Sequence, residues 1–138
     1  IVHAQRAEPE ATGADAISLA ARQIAETLKL SAIVCYTSSG TTGLRAARER
    51  PQVPIIALSP VVETARRLSL VWGTHCVVTP DATDLDDMVA RACRIAFSEG
   101  FCRPGDRIIV TAGVPLRTPG ATNMLRIAYI GSDGLSGI

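Results

Sequence analysis

Residues 32–36 (AIVCY), 54–58 (PIIAL), 75–79 (HCVVT) and 107–111 (RIIVT) are short apolar runs rich in β-branched side chains. Between consecutive runs lies one stretch of helical character. Such runs are strands buried on both faces, and strands alternating with helices build a parallel sheet covered on each side. The helical stretches are specific. Ile17, Ala20, Ala21, Ile24 and Leu28 fall at i, i+3, i+4, i+7 and i+11 and form one stripe, with Thr12 and Asp15 as a start signal. Residues 44–50 place Leu44 and Ala47 on one side, and Pro51 ends the helix. Ser59-Pro60 reads as an N-cap with proline at the first helical position, and the helix it opens points Val61, Ala65, Leu68 and Trp72 inward before Gly73 stops it. Asp84 caps a longer helix with Leu85, Met88, Val89, Ala92 and Ala96 on one face. A Gly/Pro loop at 113–121 leads without a helix into a fifth strand at 122–130, which therefore returns antiparallel at an edge.

The expected fold is a three-layer α-β-α sandwich. It is a doubly wound five-stranded sheet of order 3-2-1-4-5 with strand 5 antiparallel, the order that right-handed crossovers favour. Its boundaries are 1–13 for a lead-in segment, 14–131 for the domain and 132–138 for a flexible Gly/Ser tail. A chain of 138 residues suits one domain and buries roughly 70% of its unfolded surface. At 47% apolar it is no disordered chain, and a net charge of +1 implies neither a nucleic-acid footprint nor an acidic tail. Lys29 is the one lysine beside thirteen arginines, a bias that can mean anion binding but that, with alanine also abundant, we assign to GC-rich coding. No run approaches the ~20 apolar residues of a membrane span. The chain opens on Ile1 rather than methionine, and we expect it to be a piece of a longer protein.

In an open α/β sheet the ligand crevice lies at the carboxyl ends of the strands where the winding reverses, here between strands 1 and 4. Two loops meet there, 37–42 and 113–121. The first, TSSGTT, holds five hydroxyls and Gly40 just before a helix. Free N–H groups at a helix N-terminus attract anions. Gly40 and Gly43 would let the backbone approach a ligand, and Thr37, Ser38, Ser39, Thr41 and Thr42 could donate to a phosphate oxygen. The plainer reading is a capped helix start, for which one such residue suffices. The loop is neither a P-loop, which needs its lysine, nor a G-x-S-x-G elbow.

Catalytic groups are scarce. His75 opens strand 3 at the end away from the crevice, so Ser39 lacks a base. Asp84, Asp86 and Asp87 suit a helix start better than a metal site. Lys29 has no reactive setting, and Arg66-Arg67 belongs to a solvated face. Trp72 has the spacing of core packing. Cys35, Cys76 and Cys93 lie in apolar runs as small hydrophobes, and with Cys102 they form no metal pattern, which fits a reducing cytoplasm.

Four segments carry a resemblance. They are HAQRAEPEATGADAI at 3–17, CYTSSGTTGLRAARERP at 35–51, the set P-I-x-A, T-A-R-x-L and W-G within 54–78, and PGDRIIVTAGVPLRTPGATNMLRI at 104–127. The chain resembles the C-terminal domain of pyruvate kinase over nearly its whole length. That resemblance implies a regulatory and oligomerisation domain of an enzyme that moves phosphate from phosphoenolpyruvate to ADP in glycolysis. Mg²⁺ and K⁺ would serve the absent catalytic barrel, with no cofactor and no catalytic residue in this chain, which alone would be inactive. It implies a phosphorylated effector held by Thr37, Ser38, Ser39, Gly40, Thr41 and Thr42, with Arg117, Thr118, Pro119 and Gly120 as the far wall. It implies a homo-oligomer contact through strand 5, from Asn123 to Ile130. Members activated by fructose 1,6-bisphosphate use a tryptophan and an arginine for the second phosphate. Residues 113–120 hold Arg117 but no tryptophan. Two alternatives stay open, a free-standing phosphometabolite sensor of the same fold and a purely structural oligomerisation domain.

Overall fold

The computed structural model describes residues 13–37, 40–113 and 122–132, with the Thr41 side chain left aside. Of the expected lead-in and tail, only Gly13, which opens α1 rather than ending a lead-in, and Ser132 are among the described residues. The elements are α1 (Gly13–Thr27), β1 (Ala32–Tyr36), α2 (Thr41–Arg48), β2 (Ile55–Ser59), α3 (Val62–Leu68), β3 (Thr74–Val78), α4 (Leu85–Ser98), β4 (Arg107–Ala112) and β5 (Met124–Tyr129). The sheet order is β3-β2-β1-β4-β5. β1 pairs parallel with β2 and β4, β2 pairs parallel with β3, and β4 pairs antiparallel with β5. Order and directions are those expected from the sequence; the helical crossovers account for the parallel directions, and the order is one of the few that right-handed crossovers allow.

The sheet divides the core. On one face Val34, Ile56, Leu58, Ile108 and Val110 pack with Met88, Val89, Ala92 and Ala96 of α4. On the other Ile33, Ile55 and Ile109 pack with Ala21 and Ala25 of α1 and Ala46 of α2. Alternate residues of each central strand serve opposite faces, as strand geometry requires.

Five expectations about the helices are corrected. α1 turns Ala14, Ser18, Ala21 and Ala25 to the interior, while Ile17 and Ile24 are half-buried and Leu28 is exposed. Small side chains bring α1 close to the sheet, so the buried stripe is rotated from the large-residue one. α2 begins at Thr41, three residues before the predicted start, and buries Gly43 and Ala46 while Leu44 stands exposed. The N-cap of α3 is Val61, itself exposed, and Ser59 Oγ instead accepts from the Val61 N–H at 3.1 Å. Trp72 is 77% exposed rather than core, since α3 ends at Leu68 and the helical spacing that would turn Trp72 inward ends with it. Leu85, at the first turn of α4, is also exposed.

The start of α4 keeps its predicted role. Asp84 accepts from the Asp87 N–H at 2.8 Å, and Asp87 accepts from the Thr83 N–H at 2.9 Å, a reciprocal cap. That backbone bond, reinforced by Arg91 and Arg94 and opposed by some burial, lowers the Asp87 carboxyl below the usual range. Lys29 adopts the left-handed conformation, with φ 54°, that ends α1, and the Leu30 N–H returns to Ala25 O at 2.9 Å.

Candidate functional site

β1 runs out at Tyr36 between two neighbours, β2 and β4. Cys35 stands opposite Ala57 on one side and Thr111 on the other. Thr37 continues beyond the sheet, its N–H donating to Leu58 O at 2.9 Å. Its side chain is buried, and Thr37 Oγ1 accepts from the Gly40 N–H at 2.8 Å. Gly40 then takes φ 97° as the N-cap of α2, a conformation that a side chain would strain, and it offers no side-chain cap to the helix. Leu44 N–H to Gly40 O, 2.9 Å, closes the first turn. The helix thus starts at the carboxyl end of β1, at the point where the winding reverses, with its first-turn N–H groups uncapped by Gly40.

The two glycines have different duties. A Cβ on Gly43 would meet Leu68 Cδ1 at 3.1 Å and Ala57 Cβ at 3.7 Å. Gly43 therefore lets α2 close onto β2 and α3, and the expectation that it lets a ligand approach is corrected. Gly40 serves the turn itself, and a Cβ there would meet Thr64 Cγ2 at 3.4 Å.

Thr42 lies in the first turn of α2 and is buried. Its hydroxyl shares a 2.7 Å hydrogen bond with Thr122, also buried, 80 residues away in the chain. Thr122 stands two residues before β5, and next to it Asn123 N–H donates to Ala112 O at 3.1 Å while Ala112 faces Met124. The crevice is therefore tied across by two threonines. The sequence pattern missed Thr122; its one signal was its place at the end of the far loop. Of the other predicted site residues, Ser38, Ser39, Arg117, Thr118, Pro119 and Gly120 lie outside the described residues, and for Thr41 only the backbone, opening α2, is described.

α2 is held from behind by ions that the periodicity did not reveal. Asp15 of α1, 2% exposed, meets Arg48 Nη2 at 2.7 Å and Arg45 Nε at 3.2 Å. Arg22 bridges Glu49 at 3.3 Å and Glu26 at 3.1 Å. Arg45, Arg48 and Glu49 all follow the hydroxyl loop, so α1 fixes the helix that the loop opens.

The remaining reactive groups serve structure. All four cysteines are free thiols, with Cys35, Cys93 and Cys102 buried. Burial pushes the Cys35 thiol up to about 11 against a slight pull from its Thr111 hydrogen bond. Burial likewise pushes up the Tyr36 phenol, whose hydroxyl donates to Met88 O at 2.8 Å. His75 is exposed in the first half of β3, 2.6 Å from Glu99 Oε1 and near the Phe101 ring. Among the described residues no three His, Cys, Asp or Glu side chains converge as a metal site. No helix among them is long and apolar enough to cross a membrane.

Comparison with known proteins agrees with this architecture. Residues 15–128 match the family model described as pyruvate kinase, alpha/beta domain. The chain is 55% identical over 130 residues to a pyruvate kinase of Methylorubrum extorquens, covering 94% of this chain and 27% of that protein. It is 40% identical over 116 residues to one of Agrobacterium vitis and 34% identical over 116 residues to one of Clostridium acetobutylicum, covering 84% of this chain and 24% of each relative. It spans about a quarter of the length of the curated relatives it matches. With most of its length inside the family model, the chain belongs to the pyruvate kinase family and carries that family's alpha/beta domain.

Proposed function

We propose that this domain is the regulatory module of a cytoplasmic pyruvate kinase and that it binds a phosphorylated metabolite at the start of α2. The observation that carries the reading is the position of that helix. It begins at the strand-order switch on a glycine N-cap that supplies no capping side chain. A phosphate there meets the first-turn N–H groups and the positive end of the helix dipole. In this reading the hydroxyls of Ser38, Ser39 and Thr41 are further donors and Arg117, Thr118, Pro119 and Gly120 the far wall, as the family resemblance implies. The four free thiols suit a reducing compartment. Phosphoryl transfer from phosphoenolpyruvate to ADP, with its Mg²⁺ and K⁺, belongs to the part of the enzyme beyond this chain.

Calorimetric titration with glucose 6-phosphate, ribose 5-phosphate, AMP and fructose 1,6-bisphosphate tests the site. A monophosphate is expected to bind as well as the bisphosphate, because Arg117 is the one cation of the far loop. Ser39→Ala and Thr41→Ala should each weaken binding by about 1.5–3 kcal/mol. A bisphosphate preference of about tenfold that Arg117→Ala removes would replace the monophosphate reading. Absence of binding by all four compounds would remove the site. The same preparation is expected to form no ATP from phosphoenolpyruvate and ADP, and turnover above a mock preparation would contradict that.

The module also self-associates in this proposal. β5 pairs on one side with β4 and forms the sheet edge on the other, with Ile127 and Tyr129 exposed. An open edge of this kind recruits a second strand unless covered, and a two-fold contact pairs it with its own copy. Sedimentation is expected to show a dimer that Ile127→Lys weakens; a monomer throughout the concentration range would sink the idea.

A further inference from the structure

The Thr42–Thr122 pair extends the phosphate reading, on which the following inference rests. A threonine hydroxyl carries one proton and two lone pairs. One hydroxyl–hydroxyl bond uses one of the two protons, and the accepting oxygen keeps its own to donate elsewhere. Thr122 is anchored by the sheet through the Asn123 N–H bond to Ala112 O, while Thr42 rides on the first turn of α2. Thr42 is the less enclosed of the two, 8% exposed against 2%. We propose that Thr122 is a positioning residue. It donates to Thr42 Oγ1 and so turns the Thr42 proton toward a phosphate oxygen bound at the N-terminus of α2.

Two features favour this direction over the reverse. A hydroxyl that receives a hydrogen bond becomes a better donor, so the chain Thr122 to Thr42 to phosphate strengthens along its length. A merely structural link does not require hydroxyls here, since replacing both partners of a buried hydrogen bond by apolar groups of equal shape is close to neutral for stability. What two valines cannot do is aim a proton.

The test uses the full 138-residue chain with Thr122→Val, Thr122→Ser and the double replacement Thr42→Val/Thr122→Val, titrated with glucose 6-phosphate, ribose 5-phosphate and inorganic phosphate and melted in parallel. Thr122→Val is expected to weaken whichever probe the wild type binds several-fold, because Thr42 keeps its hydroxyl but loses the donor that turns its proton toward the anion. Thr122→Ser should restore affinity. The double variant should recover the melting temperature of the wild type without its affinity, a separation that a structural role would not produce. Should Thr122→Val fail to fold, the serine and double variants decide the matter. Wild-type affinity in a folded Thr122→Val overturns the positioning role and leaves the phosphate site standing, and wild-type affinity in the double variant removes the Thr42 donor as well. Failure of the wild type to bind any probe overturns both.

Discussion

Asp15→Asn is expected to lower the stability of the fold by about 2–4 kcal/mol, enough to consume a large share of a typical domain's margin. Asp15 is 2% exposed and faces both Arg45 and Arg48. Removing its charge leaves two guanidinium groups crowded between α1 and α2 without their counter-ion. A fully buried pair broken on one side costs about 3–5 kcal/mol, and the partial exposure of both arginines brings that down, because water screens what the carboxylate no longer does. The asparagine keeps the shape, so the loss is electrostatic rather than a cavity. Urea unfolding of both proteins measures it, and a difference under about 0.5 kcal/mol would mean the cluster behaves as an ordinary surface network. Because Arg45 and Arg48 belong to α2, the same variant should also loosen the phosphate binding proposed for the other end of that helix.

Alkaline pH is the second strong lever. Burial holds the Cys35 thiol protonated up to about 11, against an ordinary value of 9.0. The unfolded chain therefore gives up this proton first. The stabilisation is whole below about pH 9 and is lost as the pH climbs toward 11, some 3 kcal/mol in all, in order of magnitude. Cys102, raised to about 11 by burial and then by Asp106 and Cys93, and Cys76, raised by burial, act in the same direction. Urea midpoints from about pH 8 to about pH 11 should fall steadily for the wild type. In Cys35→Ala the fall should be shallower by up to about 1.4 kcal/mol per pH unit. Identical slopes in the two proteins would show that Cys35 does not carry the effect. Alkylation of Cys35 should track unfolding for the same reason, since the thiolate is the reacting form.

The sequence alone determined the sheet. Residues 32–36, 54–58, 75–79 and 107–111 form strands within a residue or so of their apolar limits, and three helical crossovers call for parallel pairing in one of the few orders a doubly wound sheet takes, the observed one among them. Both are local or topological constraints, legible in one dimension. It also determined where a ligand would be sought, since a switch point follows from strand order and the hydroxyl loop follows β1 directly. Tertiary structure decided which face of each helix lies inward. Small residues won where close packing was needed: Ala21 and Ala25 over Leu28, Gly43 and Ala46 over Leu44. Hydrophobic periodicity weighs side-chain size and apolarity, whereas close approach to a sheet selects for smallness, so the two rankings diverge there. Tertiary structure alone also brought Asp15 to Arg48 and Thr42 to Thr122, pairs separated by 33 and 80 residues. No spacing rule reaches that far: a charge or a hydroxyl shows its type in the sequence, but its partner is chosen by the fold that buries it.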